Sequence, residues 1–278
     1  MRAHLEIWDV ASASARSVLV SDRHIEAPNF MPDGTALLVN CDGGLYRVPL
    51  EQPELIRLNS FVHTVINNDH APSPDGNLIA FCDKAVTPKS CIYLMPAAGG
   101  RPRRVTQDLP SWFHAWMPDG RNMVYAAVRD GAFAIARADL EGNEQVLITG
   151  PGHYDGPDVT PDGQWIWFNA NRTGAMALWR MRADGSDLEQ MTDGSKDDWF
   201  PHPSPVGKHL CFLAYDKDTE GHPFGVDVDL CLMPQDGGAP QVLQRIHGGQ
   251  GCLNSPCWAP DGQSFAYVRY SDVTEEEG

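Results

Sequence analysis

Pro32-Asp33-Gly34, followed by the apolar run Ala36-Leu37-Leu38-Val39, decides the fold, because versions of this stretch recur along the chain. A Pro-x-Gly triplet makes a tight turn, since proline presets the first φ angle, Asp tolerates the next position and glycine accepts a positive φ. The six triplets are Pro32-Asp33-Gly34, Pro74-Asp75-Gly76, Pro118-Asp119-Gly120, Pro161-Asp162-Gly163, Pro205-Val206-Gly207 and Pro260-Asp261-Gly262. Their prolines lie 42, 44, 43, 44 and 55 residues apart, which identifies an internal repeat.

Each repeat unit of about 40–45 residues has the pattern of four short strands. An apolar strand such as Ile166-Trp167-Phe168 follows every turn, and a third strand such as Cys91-Ile92-Tyr93-Leu94-Met95 follows in most copies. A glycine-containing turn then leads to a short outer strand, for example Arg104-Val105-Thr106. Four-stranded units that close into a ring form a β-propeller. The sequence therefore predicts an all-β protein, a six-bladed β-propeller with four-stranded antiparallel blades in a single domain over residues 1–278.

The two ends of the chain together supply the material of the last blade. Residues 255–259 and 264–270 are predicted to form its first two strands, and residues 4–10 and 16–20 its last two. Pairing the N- and C-terminal strands closes the ring without exposed strand edges. The longest interval contains an insertion, residues 216–227, which is predicted to project from one face as a flap. Its acidic residues partly fit the spacing of a calcium loop, and a solvated acidic loop is the favoured interpretation.

The charge balance limits the partners of the protein. The chain has 37 Asp and Glu against 21 Lys and Arg, a formal net charge of −16, which argues against nucleic acid and anionic membranes as partners. No apolar run approaches the roughly 18 residues of a membrane span. The start of the chain lacks the apolar core of a signal peptide, which favours the cytoplasm. The acidic tail, residues 274–277, is expected to be solvated, and a monomer is slightly favoured over an oligomer.

The seven cysteines, an odd number, lie mostly in apolar runs such as Leu210-Cys211-Phe212-Leu213. Cysteines in such runs behave as small hydrophobic residues. They are predicted to be buried free thiols rather than disulfides, and the absence of a Cys-x-x-Cys pair gives no support to a structural zinc site.

Several short motifs accompany the repeat. They are Asn67-Asn68-Asp69-His70, Leu109-Pro110-Ser111-Trp112-Phe113-His114, Asp155-Gly156-Pro157-Asp158, Asp198-Trp199-Phe200-Pro201-His202-Pro203 and Gly248-Gly249-Gln250-Gly251. Together with the Pro-Asp-Gly turns and the trailing Arg-Val-Thr and Gln-Met-Thr segments, they make the whole chain resemble the TolB-like propellers, whose unit is also called the WD40-like or PD40 repeat. The motifs are similar to those of short, stand-alone bacterial TolB-like proteins without the N-terminal domain of TolB. The resemblance implies the propeller fold and leaves the activity open.

Candidate functional residues occur at the start of the first strand of each repeat, where the central channel of a propeller opens. Counting four and six residues back from each turn proline gives a high density of His, Asp, Asn and Trp, whereas strand starts that only pack would be Val, Ile or Ala. The predicted ligand-binding residues there and close by are Asn68, Asp69, His70, Trp112, His114, His153, Asp155, Asp158, Asp198, Trp199, His202, Gln250 and Asn254. Trp112 and Trp199 offer faces for stacking on a sugar or peptide. The alternative is a channel that is polar because it is wet.

A metal site is a narrower hypothesis. His70 and His114 occupy equivalent positions on adjacent repeats, and neutral imidazoles are common ligands of divalent metals. Both are predicted as candidate metal ligands, against the alternative of two hydrogen-bonded histidines. Oligogalacturonate lyases hold a divalent metal in the histidine-rich channel of a related propeller with seven blades, and this resemblance implies a metal-dependent lyase or hydrolase acting on acidic sugars.

The leading hypothesis is a binding or scaffold module that receives a small polar ligand, or a peptide of a protein partner, at the channel mouth. The metal-dependent enzyme is the alternative, and no catalytic residue is assigned for it. The chain has no G-x-S-x-G nucleophile elbow and no phosphate-binding glycine loop, so neither a serine hydrolase nor a nucleotide-binding protein is indicated.

Overall fold

The computed structural model describes residues 1–272, which form β-strands arranged as six antiparallel sheets, with no helix in that range. Strands β1 (Arg2–Asp9) and β2 (Ser14–Ser21) belong to the sixth blade. Blade 1 comprises β3 (Ile25–Phe30), β4 (Ala36–Cys41), β5 (Gly44–Pro49) and β6 (Ile56–Arg57), and blade 2 comprises β7 (Ile66–Pro72), β8 (Leu78–Asp83), β9 (Cys91–Pro96) and β10 (Arg103–Arg104). The predicted order of inner to outer strands is confirmed in both.

The next three blades repeat this pattern. Blade 3 comprises β11 (Ser111–Trp116), β12 (Asn122–Arg129), β13 (Ala132–Asp139) and β14 (Glu144–Thr149). Blade 4 comprises β15 (Tyr154–Val159), β16 (Trp165–Ala170), β17 (Ala177–Arg182) and β18 (Glu189–Gln190). Blade 5 comprises β19 (Asp197–Pro203), β20 (His209–Tyr215), β21 (Phe224–Pro234) and β22 (Gln241–Gly249).

The sixth blade joins the two ends of the chain, as predicted. β1 lies between β2 and β23 (Ser264–Ser271), with Leu5 opposite Val268. The predicted innermost strand at residues 255–259 is less regular than the other five, because it makes one isolated bridge, between Trp258 and Phe265. Pro256 and Pro260 have no N–H group to donate to a ladder, which explains the broken pairing.

The turn glycines hold neighbouring blades together. Gly76 and Gly120 have φ angles of +72° and +65°, which favour glycine, and a Cβ at either position would lie 3.7–3.8 Å from Pro32 or Pro74, the turn proline of the preceding blade. The same contact recurs at three more turns, including Gly34 of blade 1 against Pro260 of blade 6 at 3.9 Å, whereas Gly262 faces Val206. The repeated turn therefore builds both the hairpin and the blade-to-blade contact.

The core lies between the faces of adjacent blades. Its largest fully buried side chains include Trp167, Phe168, Phe212 and Tyr125. All seven cysteines are buried and free, which confirms the prediction from their apolar surroundings. Within residues 1–272 there is no helix long and apolar enough to cross a membrane. The acidic tail at residues 274–277 lies outside the described residues.

Candidate functional site

Inner strands of several blades begin around one cavity of about 270 Å³ at the mouth of the channel. Seven of the thirteen predicted residues line it: Asp69, Trp112, His114, His153, Asp155, Gln250 and Asn254. The other lining residues, which the sequence did not single out as site residues, are Asn67, Phe133, Phe200 and His222. We call this cavity, with these residues, the channel mouth.

Irregular pairing of the inner strands aims these side chains. β7, β11, β15 and β19 each have a register shift against their neighbour just where the candidate residues lie. In β15 the shift falls between Asp155 and Asp158, at Gly156, whose φ is +60°. A Cβ on Gly156 would lie 2.6 Å from the Asn169 Oδ1 atom, so a glycine is required. Such bulges redirect side chains, and they commonly occur next to functional sites.

Asp155 is the electrostatic centre of the channel mouth. Its Oδ1 atom lies 2.9 Å from His114 Nε2, and its Oδ2 atom lies 3.5 Å from His153 Nε2 and 3.6 Å from His222 Nε2. Burial alone would raise the pKa of Asp155, but interactions with the three histidines hold it well below its usual value of 3.8. Asp155 is therefore a carboxylate at neutral pH.

Asp69 is a second acid with the opposite behaviour. Asn254 Nδ2 donates to its Oδ1 atom at 3.3 Å, and Asn67 Nδ2 donates to Oδ2. The pKa of Asp69 is raised to about 6, mainly by burial; the charge of His114 opposes the rise, and that of Asp155 adds to it. The mouth thus holds one firmly ionised carboxylate and one that takes up a proton near pH 6.

His114 lies within the fields of both acids. Its ring is 2% exposed, and neither of its nitrogens makes a well-directed hydrogen bond, so the contact with Asp155 is an ion pair. Burial lowers the pKa of His114, but Asp155 and Asp69 outweigh it, and the net shift is upward. A buried polar ring with unmet hydrogen-bonding capacity is costly unless another molecule satisfies it.

Aromatic rings form the wall of the mouth. The His153 ring stacks on the Phe133 ring, with 4.1 Å between the ring centroids. The Trp112 ring also stacks on Phe133, with 6.4 Å between the centroids. His222 packs edge-on to Trp199 at 4.4 Å and to Phe200 at 5.1 Å. The cavity thus combines flat apolar faces with polar groups, as ligand pockets commonly do.

The predicted flap folds over this end of the channel and contributes His222. Residues 216–223 are a loop, and the rest of the predicted flap is the start of β21. Lys217 Nζ donates to the Gly194 carbonyl at 2.6 Å, and the Thr219 amide donates to Asp197 Oδ2 at 3.1 Å. Two of the flap acids pair with bases while their side chains stay 63% and 58% exposed: Asp216 with Arg245 at 2.7 Å, and Asp227 with His247 at 2.7 Å.

The other predicted residues lie elsewhere. His202 and Asp158 pair with each other at 2.9 Å, and Asp158 lines the cavity at the opposite end of the channel. Asn68 accepts a hydrogen bond from Ser255 through its carbonyl. Trp199 is buried behind His222, and Asp198 points into a separate cavity between blades 4 and 5.

His70 does not join His114 in the channel mouth. It is fully buried, its Nδ1 atom lies 2.7 Å from Asn29 Oδ1, and burial lowers its pKa to about 3, so the ring is neutral. Within residues 1–272 no group of three or more His, Cys, Asp or Glu side chains is arranged to hold a metal ion. His70 is therefore hydrogen-bonded through Nδ1, while its buried Nε2 atom has no partner among the described residues, and its ring does not line the channel mouth.

The fold and the flap-covered polar mouth define a class, that of six-bladed β-propellers with a candidate ligand site on the channel axis. The TolB β-propeller domain model, PD40, matches residues 1–206, so this chain belongs to the TolB β-propeller family. An uncharacterized protein of Agrobacterium fabrum is 46% identical over 275 residues, which cover 98% of this chain and 94% of that protein.

Two solved structures place the fold among known propellers. A TolB-type protein from Agrobacterium tumefaciens superposes with a TM-score of 0.96 at 47% identity, over 98% of this chain and 99% of that one. An oligogalacturonate lyase in complex with manganese superposes with a TM-score of 0.61 at 13% identity, over 99% of this chain and 98% of that one. At 13% identity the second likeness concerns the fold alone.

Proposed function

We propose that the protein is a binding module whose channel mouth takes a small polar ligand, either free or as part of a peptide. The observation that carries this is His114, a buried ring without well-directed hydrogen bonds that lines an open cavity. Asp155, which pairs with this ring, is 14% exposed and lines the same cavity, so a ligand can contact the pair there. A ligand with its own donors and acceptors would meet that need.

The lining groups define the ligand by charge. Two carboxylates, Asp69 and Asp155, line the mouth, and no Lys or Arg of residues 1–272 does. Asp155 is ionised, and Asp69, whose pKa is about 6, is also mostly ionised at neutral pH. A uronate or other acid would bring a further negative charge into this space, where like charges repel. The mouth therefore favours a neutral or zwitterionic ligand over an acidic sugar.

The aromatic faces favour a ligand with a flat apolar side. Trp112 and Phe133 line the cavity beside the amide groups of Asn67 and Gln250. Aromatic rings bind the C–H face of a sugar or the side chain of a peptide, while amides and carboxylates bind hydroxyl and amide groups. His222 covers this arrangement from the flap.

Titration calorimetry with three probes tests the proposal: D-galactose, D-galacturonate and glycylglycine. We expect galactose or glycylglycine to bind and galacturonate to bind at least about tenfold more weakly, because of Asp155. Asp155→Asn should reduce the binding of the neutral probe at least about tenfold, since it removes a charged partner. The matched control is Asp130→Asn at an exposed turn, which should change it less than about twofold.

Two results would contradict the proposal. One is that neither neutral probe binds at millimolar concentration, and the other is that Asp155→Asn leaves the measured affinity intact. Tighter binding of galacturonate than of galactose would instead favour an enzyme or binding protein for acidic sugars.

A further inference from the structure

A second cavity, of about 440 Å³, lies between blades 4 and 5 and away from the channel mouth. Its apolar lining comes from Phe212 and Ala214 of β20, Cys231 of β21 and Pro240 before β22. Its charged lining consists of Asp193, Lys196 and Asp198. We call it the interblade cavity. Its lining is apolar over much of its surface, with a carboxylate on one side.

Asp198 is the feature of this cavity that needs a partner. The residue is 6% exposed, and its amide donates to the Met176 carbonyl at 3.1 Å, which fixes its position. The Thr192 hydroxyl hydrogen-bonds the carboxylate, while Thr192 Oγ1 accepts from the Leu178 amide at 2.9 Å. One hydroxyl does not offset the desolvation of a buried carboxylate, which ordinarily needs a cation or several hydrogen-bond donors.

The nearby cation is engaged elsewhere. Lys196 Nζ lies 3.5 Å from Asp216 and contacts Asp229 more closely, so it is shared by two other acids. Within residues 1–272, Asp198 has no ion-pair partner among the salt bridges of the structure. The pKa of Asp198 is raised to about 7, mainly by burial; Asp193 and Asp197 contribute to the rise, and Thr192 and Lys196 oppose it.

We propose that the interblade cavity binds the ammonium end of an aliphatic primary amine, of the kind a lysine side chain carries, with the ammonium on Asp198 and the methylene stem along Phe212 and Ala214. Charge complementarity supports a cation, since the buried carboxylate is uncompensated and the chain has a formal net charge of −16. The apolar lining supports an alkyl stem.

An ammonium fits better than the other common cations. A divalent metal such as calcium takes six to eight oxygen ligands, and the side chains of this cavity offer two carboxylates, one of them on the exposed rim, and two hydroxyls. A guanidinium favours planar, bidentate pairing with a fully presented carboxylate, whereas here Thr192 already engages the group. A lysine ammonium is a compact point charge on a flexible stem, which suits a deep cavity with an apolar wall.

The test compares two probes, one with and one without the ε-ammonium group. Nα-acetyl-lysine amide and Nα-acetyl-norleucine amide, which has the alkyl chain alone, are titrated at pH 8 and followed by calorimetry. We expect the lysine probe to bind at least about tenfold more tightly than the norleucine probe. A third probe, n-butylammonium, resolves the source of the amine: tighter binding of the lysine probe than of n-butylammonium would indicate a lysine side chain, and the reverse order would indicate a free amine.

Variants separate this site from the channel mouth. Asp198→Asn should weaken binding of the lysine probe at least about tenfold, whereas Asp193→Asn, on the exposed rim, should change it less than about twofold. Ala239→Trp, which narrows the opening without touching Asp198, should also abolish binding. Asp155→Asn at the channel mouth should leave it unchanged, so a failure of either proposal is distinguishable from a failure of the other.

The pH dependence supplies an independent check. Because Asp198 titrates near pH 7, the affinity for the lysine probe should fall roughly tenfold from pH 8 to pH 6. The proposal is overturned if the two analogues bind equally, if neither binds, or if Asp198→Asn retains the wild-type affinity while its melting temperature shows a folded protein.

Discussion

The two ends of the channel are built by the same inner strands and differ in almost every property. At the mouth, a cavity of about 270 Å³ is lined by carboxylates, imidazoles and amides and is covered by the flap. At the opposite end, a cavity of about 360 Å³ is lined mainly by the prolines of the repeated turns and by Trp116, Trp258 and Phe30. Strand β11 reaches both cavities: Trp112 lines the mouth, and Trp116 lines the cavity at the opposite end, which we call the turn end.

The difference separates residues that build the ring from residues that a ligand would meet. The turn end repeats the same proline and glycine in every blade, and these contact the next blade. At the mouth, the position six residues before the turn proline varies from blade to blade: Glu26, Asn68, Trp112, Asp155, Trp199 and Asn254. We therefore expect changes at the turn end to alter stability, and changes at the mouth to alter charge and binding.

The largest effect should come from the two tryptophans of β11. Trp116 is 7% exposed and its Nε1 atom donates to the Ala71 carbonyl at 3.2 Å. Trp116→Ala should lower the free energy of unfolding by about 3–5 kcal/mol, because it leaves a cavity and an unpaired carbonyl. Trp112→Ala, its partner at the mouth, should cost about 1 kcal/mol, since that ring is only half-buried.

Denaturant unfolding of the two variants measures this contrast. Equal losses in the free energy of unfolding for Trp112→Ala and Trp116→Ala would contradict the proposed difference between the two ends. If only Trp112→Ala changes the affinity for the neutral probe, the difference is supported.

A smaller change in the free energy of unfolding, and an increase rather than a decrease, is expected from substitution of Asp69. Its pKa is raised from 3.8 to about 6, so the folded protein holds this proton more tightly than the unfolded chain does. The ionised group therefore destabilises the fold as the pH rises from about 4 to 6, and fully above that. Asp69→Asn should raise the free energy of unfolding at pH 8 by on the order of 2–3 kcal/mol.

Unfolding measured at pH 8 and again at pH 4 tests this, because the gain should vanish where Asp69 is already protonated. Asp75→Asn, at an exposed turn, is the control and should show no such gain at pH 8. A lower free energy of unfolding for Asp69→Asn at pH 8 would contradict the prediction that the ionised Asp69 destabilises the fold.

The smallest effect concerns the flap. His222→Ala removes the contacts with Trp199 and Phe200. A loss of about 1 kcal/mol from a locally opening segment raises its open population about fivefold. Trypsin should then cleave after Lys217 about fivefold faster, as followed by mass spectrometry. His247→Ala, which removes an exposed ion pair with Asp227, should leave the cleavage rate within about twofold.

The fold was predictable because its signal is local. Each Pro-x-Gly turn determines its own backbone angles, and even intervals between turns imply equal blades. The sixth blade was predictable from the requirement that a ring must close. The irregular pairing of its inner segment was harder to predict, although Pro256 and Pro260, on either side of the Trp258 bridge, indicate interrupted pairing.

The candidate site was predictable in part, and bulges explain much of the rest. Counting along a regular strand places His70 and His114 alike, but the register shift in β7 between Ile66 and His70 changes which side chain faces the channel. Asp69 lines the mouth as a result, and His70 turns to Asn29. A register shift of one residue exchanges the two faces of a strand, and no local sequence pattern predicts such a shift.

His222 could not be found by counting, because it belongs to the insertion and to no repeat. Its contacts with Asp155 and Phe200 join parts of the chain that only the folded ring brings together. The insertion itself was the available signal, since an interrupted period marks the place where a propeller adds something of its own.

The closing blade has a consequence for synthesis of the protein. β1 leaves the ribosome before β23, which covers one of its edges, and most of the ring lies between them in the chain. At roughly 5–20 residues per second, translation of the intervening chain takes on the order of tens of seconds. During that time Leu5, Ile7 and Trp8, all buried in the finished ring, lack their final neighbours. The free edge of β1 is thus open to pairing with another chain until β23 covers it.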